Sequence, residues 1–192
     1  MKKILLLFNL GLILIYSEAH SQQTKNPLIA KFLIEGGGEF GGDEILTVFF
    51  EDGDNQKMRA GQGGFITLGG QFEFRETKNF MLRASIGIKY TTTAADNANI
   101  RLTRIPIHLM PYWVIKEDFR LGVGITSHQN VRLKGDGFVD DIDFKGALGT
   151  RFEIGYKWVA VTYTILDYKS EMGQKISANS LGLSFSYVFS NK

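Results

Sequence analysis

The chain contains no cysteine, so it carries no disulfide framework and no thiolate chemistry. Histidine is nearly as scarce. Beyond His20 only His108 and His128 occur, which leaves little material for a histidine base beside a nucleophile. Charge of one sign is missing too. Lys and Arg total 22 against 20 Asp and Glu, and the basic residues are scattered, so nothing marks a nucleic-acid partner. No apolar stretch after residue 21 approaches the roughly 20 residues of a membrane helix. If this chain crosses a membrane, strands must do it.

What is present begins with an export signal. Met1-Lys2-Lys3 is basic, Ile4 to Tyr16 is apolar apart from Asn9, and Ala19-His20-Ser21 gives a small-x-small cleavage site. This layout predicts a cleaved signal peptide over 1–21 and one domain over 22–192.

The domain alternates. Its last strand carries Leu181, Leu183, Phe185, Tyr187 and Phe189 on one face, and Ser180, Gly182, Ser184 and Ser186 on the other. Seven more segments behave alike. Their apolar faces carry Phe32 to Phe40, Ile66 to Phe74, Leu82 to Tyr90 and Ile105 to Ile115, then Phe119 to Ile125, Phe152 to Trp158 and Val159 to Ile165, taking every second residue. None of those positions is charged, in a chain that is 22% charged. The opposite faces hold Lys31, Glu35, Glu39, Glu73, Arg83, Lys89, Arg104, Arg120, Arg151, Glu153 and Lys157. A lysine or arginine facing lipid near mid-bilayer costs about 2–4 kcal/mol, whereas a barrel lumen accepts charges that pair. The expected fold is therefore all-β: an eight-stranded antiparallel up-and-down transmembrane β-barrel.

Connections agree. Short turns at 75–79, 116–118 and 156–159 alternate with longer loops at Glu51 to Asn55, Ala94 to Asn99, Gly135 to Phe144 and Glu171 to Lys175. Aromatics gather on the short-turn side, among them Trp113, Tyr156, Trp158, Tyr187 and Phe189, as an interfacial girdle does. Around Gly36-Gly37-Gly38 the first strand is weakened. The Asp52-Gly53 hairpin signal predicts that strands one and two extend outward as one projecting hairpin, with a separate extracellular pair as the alternative. A soluble lipocalin-like barrel or sandwich also has one apolar face, and is the rival architecture.

The signal peptide, eight alternating strands and terminal Tyr187-Val188-Phe189 resemble the small eight-stranded outer-membrane β-barrel proteins of Gram-negative bacteria. The resemblance covers 28–189. It implies residence in the outer membrane and contact with its lipid and lipopolysaccharide. It also implies that Phe185, Tyr187 and Phe189 form the signal read by the barrel-insertion machinery. Ser190-Asn191-Lys192 follow that Phe, a departure from the commonest pattern.

An eight-stranded barrel is only wide enough for its own side chains. Lys31, Glu35, Glu73, Arg83, Lys89, Arg104, His108, Arg120, Arg151 and Glu153 are thus expected to form a salt-bridged lumen network rather than a pore. The expected role is structural or interactive, in adhesion or envelope integrity, without cofactor or catalysis. The oligomeric state is left open. A narrow porin-like channel or transporter is the alternative. A lipid-modifying enzyme comes last, because Ser127 and His128 are adjacent in a strand and point to opposite faces. In the loop 136–144, Asp136, Asp140, Asp141 and Asp143 offer hard oxygen ligands without a calcium-loop spacing. Its Phe138, Val139, Ile142 and Phe144 are candidates to pack over the barrel mouth.

Overall fold

Alternation of this kind needs a wall with a wet side and a dry side, and the computed structural model supplies one. It describes residues 27–49, 53, 55–93, 99–116, 118–170 and 173–189. The signal peptide, the start at Gln22, most of the loops 51–55 and 94–99, Glu171 and the tail 190–192 lie outside them. Thirteen strands and no helix are found among the described residues.

Eight strands form the wall: β1 (Leu28–Phe40), β4 (Gly63–Phe74), β5 (Phe80–Thr92), β6 (Arg101–Lys116), β7 (Phe119–Lys134), β9 (Ala147–Tyr156), β10 (Val159–Ile165) and β13 (Ser180–Val188). Each pairs antiparallel with the next. Pairing of β13 with β1, from Leu33 opposite Val188 to Phe40 opposite Leu181, closes the ring. Closure removes the free edge, so the wall's backbone groups find partners within it, as hydrocarbon demands.

On the long-loop side the wall continues past the barrel. Strands β8 (Ile142–Lys145), β11 (Asp167–Ser170) and β12 (Lys175–Ser177) extend it in the order β7-β8-β11-β12. A register shift between Thr103 and Ile105, opposite Asn130 at φ 51°, marks the step from barrel to extension. Such a bulge inserts one residue and flips the facing of all residues beyond it. Inward positions of β7 change from Arg120, Thr126 and His128 to Val131 and Leu133.

The remaining strands, β2 (Glu44–Phe49) and β3 (Asn55–Arg59), form their own two-stranded sheet. The single long hairpin read from sequence is therefore replaced by the separate pair. Gly41 and Gly42, at φ 136° and 81°, break β1 from β2 in a conformation that side chains rarely adopt. A Cβ on Gly42 would also meet Ser177 O at 2.7 Å.

Below this pair lies an apolar core that strand parity did not anticipate. Met58, Leu102, Val131, Leu133, Phe144, Leu166 and Tyr168 are buried together, and Leu46 and Val48 of β2 pack onto them. The polar lumen is thus stoppered at its loop end by apolar side chains. Burial of such side chains contributes about 1.5–3 kcal/mol each, which holds hairpin and extension onto the barrel. From the acidic loop, Phe144 and Val139 join this core, whereas Phe138 remains 59% exposed.

Candidate functional site

The lumen is built from one parity of eight strands. Towards the short turns, Lys31 pairs with Glu73 at 2.7 Å, and Gln71 Nε2 donates to Glu73 at 2.6 Å. Arg83 Nε donates to Gln71 Oε1 at 2.8 Å. In the next layer Tyr112 donates to Glu153 at 2.8 Å, beside an Arg120–Glu153 pair at 3.0 Å. The Tyr112 ring lies 5.2 Å from the Arg83 guanidinium carbon and 5.9 Å from that of Arg120. Gly122 makes this layer possible, since a Cβ there would lie 2.6 Å from Tyr112 Cδ1.

Nearer the loops, Glu39 is a hub. It pairs with Arg151 at 2.5 Å, accepts from Ser180 Oγ at 3.0 Å and also binds Lys89. Arg151 reaches Glu35 at 3.4 Å and lies 5.5 Å over the Phe65 ring. Lys89 donates to Gly61 O at 2.6 Å, while Arg104 donates to Ala60 O and Gln62 O, each at 2.6 Å. Two buried cations thereby tie the wall to the segment returning from the hairpin. These are charge-assisted bonds to backbone carbonyls inside a closed barrel, and the Gln62 carbonyl also accepts from Thr91 Oγ1 at 2.5 Å.

Eight of the expected network residues, Glu35, Arg83, Lys89, Arg104, His108, Arg120, Arg151 and Glu153, are at most 5% exposed and inside. Lys31 and Glu73 sit half-buried at the short-turn mouth. His108 shares the interior, but its Nδ1 has no hydrogen-bond partner among the described residues. Lys157 belongs to the turn before β10 instead. It is half-exposed in that turn, at φ 51°, with its Nζ 3.7 Å from Asp118. Sequence parity placed Glu39 inside without marking it as the hub. It missed Tyr112 and Gln71, uncharged residues that no charge pattern singles out.

Ser127 and His128 do face apart. Ser127 Oγ donates to Ala147 O at 3.0 Å, and His128 Nδ1 meets Tyr168 OH at 2.7 Å. Three of the four acids of the loop, Asp136, Asp141 and Asp143, are engaged by the protein. Asp141 binds Lys134 at 2.5 Å and accepts from the Gly135 amide at 2.9 Å. Those bonds hold its carboxyl below the usual range. Asp143 pairs with Arg132 at 3.4 Å, and Asp136 accepts from the Asn99 amide. No metal-holding group of three or more such residues occurs among the described residues.

A cavity of about 720 Å³ opens at the short-turn mouth and reaches Arg83 and Arg120 of the packed layers.

The outer face inverts this chemistry. Phe32, Ile66, Ile88, Trp113, Val123, Ile154, Leu183 and Phe185 all project outward and are 48–59% exposed. A soluble barrel of the lipocalin kind keeps its apolar face inside. Here the charges are inside and the apolar ring is outside, which only hydrocarbon covers without cost. This is a transmembrane β-barrel. Its girdle of Trp113, Tyr156, Trp158, Tyr187 and Phe189 is exposed near the short turns. Phe185 stacks on Trp158 with centroids 5.6 Å apart, and Tyr187 meets Phe189 edge-on at 4.8 Å.

No family model and no curated protein matches the chain. Similar solved structures include Ail, the attachment invasion locus protein of Yersinia pestis, in complex with the heparin analogue sucrose octasulfate. It is 12% identical over 82% of this chain and 97% of that one, with a TM-score of 0.43. Neisserial surface protein A is 9% identical over 84% and 99%, with a TM-score of 0.47.

Proposed function

We propose that this protein is a non-catalytic barrel of the Gram-negative outer membrane. It serves as a structural and interaction protein in adhesion or envelope integrity. The observation that carries the reading is the closed interior. Beyond the cavity at the short-turn mouth, layers of paired charge fill the barrel, and the apolar stopper of Leu102, Leu133, Phe144 and Tyr168 covers the loop end. A solute would have to break several buried ion pairs and then displace an apolar core. Interaction therefore falls to the exterior and the loop-side surface: the β2–β3 pair, the β8-β11-β12 extension and the exposed Phe138. Lipid and lipopolysaccharide contact the apolar band and its rim. Phe185, Tyr187 and Phe189 act as the assembly signal on the last strand. The lumen network Lys31, Glu35, Glu73, Arg83, Lys89, Arg104, His108, Arg120, Arg151 and Glu153 acts as a structural plug.

Planar-bilayer recording tests the closed lumen. Purified barrel should show no unit conductance step across repeated insertions. Steady, reproducible steps would overturn the plug and favour a narrow channel.

A further inference from the structure

The extension beyond the rim contains a charge arrangement that folding alone does not favour. In the register of β8, β11 and β12, Lys145 lies directly opposite Lys169, and Lys169 directly opposite Lys175. All three are exposed, on the face opposite buried Phe144 and Tyr168. Side chains directly opposite in antiparallel strands lie about 5 Å apart at Cβ, and like charges there destabilise the sheet. Among the described residues, the nearby acids Asp167 and Asp143 leave Lys145 and Lys169 unpaired. Asp167 pairs with Lys175 at 3.0 Å, and Asp143 is taken by Arg132 at 3.4 Å. Neither Lys145 nor Lys169 has a carboxylate within ion-pair distance among the described residues.

Height decides what meets this row. The outward apolar ladder ends at Leu148 on β9 and Ile165 on β10, 71% and 45% exposed. Lys145 and Lys169 lie three and four residues further along the same run of wall. At about 3.3 Å per residue that is roughly 10–13 Å of strand, and less in height because barrel strands tilt by about 40°. Head groups occupy about 5–8 Å beyond each hydrocarbon surface. That is about 8–10 Å in height, so the lysine row stands at the outer edge of the head groups, facing outward, where the flexible lysine stems bend back to reach them.

We propose that Lys145, Lys169 and Lys175 form a binding site for the phosphate-bearing head group of an outer-leaflet lipid. This deepens the proposed membrane role and rests on it. Phosphate oxygens accept from several ammonium groups at once, and their charge offsets the repulsion between directly opposed lysines. Leu148 and Ile165 below carry the acyl chains of the same lipid.

The test reconstitutes the wild type, Lys145→Gln, Lys169→Gln and the control Lys57→Gln. Vesicles are phosphatidylcholine alone or phosphatidylcholine with a minor fraction of phosphatidic acid. The temperature at which the folded gel band converts to the unfolded one is read. Lys57 is a suitable control because it pairs with Glu44 on the hairpin, away from the row. In phosphatidylcholine alone, Lys169→Gln should melt no lower than the wild type, since it removes a repulsion. Phosphatidic acid should raise the wild type and Lys57→Gln by several degrees, and the two row variants by clearly less. An equal rise in all four proteins overturns the site. Inorganic phosphate stabilising the wild type in phosphatidylcholine as much as phosphatidic acid does would overturn the lipid assignment. Failure of the wild type to give a folded band in any vesicle would instead contradict the membrane barrel itself.

Discussion

Glu39→Ala is expected to be the most damaging single change inside the barrel. It lowers the stability of the folded form by about 3–5 kcal/mol, the usual cost of stripping the partner from buried charge. Glu39 is 6% exposed, and the side chains of its partners Lys89 and Arg151 are 2% exposed. Removing the carboxylate strands two cations where water cannot reach them. Arg151 keeps a weaker contact with Glu35 at 3.4 Å, and Lys89 keeps the Gly61 carbonyl. Neither replaces the shared charge. Urea titration of the folded band in vesicles measures the effect. Glu44→Ala is the comparison, since it breaks the solvent-exposed pair with Lys57 and should shift the midpoint far less. Equal midpoints for the two variants would show that the lumen is wet and its charges screened.

Leu183→Arg is expected to be the most damaging change on the outer face. Leu183 projects outward at 53% exposure, between Gly38 on β1 and Val161 on β10. An arginine there costs up to about 2–4 kcal/mol, depending on depth. Far less protein should reach the folded, membrane-inserted form. Its neighbour Ser184 faces inward at 1% exposure, with an Oγ that has no hydrogen-bond partner among the described residues. Ser184→Ala should therefore assemble as the wild type does. Inserted yields that agree between Leu183→Arg and the wild type would contradict the facing of the last strand.

The wall was legible because the physics that segregates it acts on every second residue. Hydrocarbon outside and a crowded polar interior impose opposite chemistry on the two parities, and sequences such as 181–189 display this without any long-range information. Strand order and closure follow from short connections and the need to leave no edge. Facing was less legible beyond the rim. One inserted residue near Asn130 turns Val131 and Leu133 inward, and a bulge leaves no mark in composition. The apolar stopper was hidden for that reason, since its residues come from segments far apart in sequence. The hub role of Glu39 was hidden as well. Parity placed it inside, but which carboxylate meets Lys89 and Arg151 depends on strand stagger around the ring. The lysine row is a matter of register alone, because Lys145, Lys169 and Lys175 look like ordinary surface lysines until β8, β11 and β12 are paired.

A closed barrel with charge inside and lipid outside is tested most directly by gel mobility. The protein is extracted from isolated outer membranes and run with and without boiling. A fast-migrating band before boiling that shifts on heating, found in the outer-membrane fraction, is the predicted result. A single unshifted band, with the protein recovered from the soluble periplasmic fraction, would contradict it.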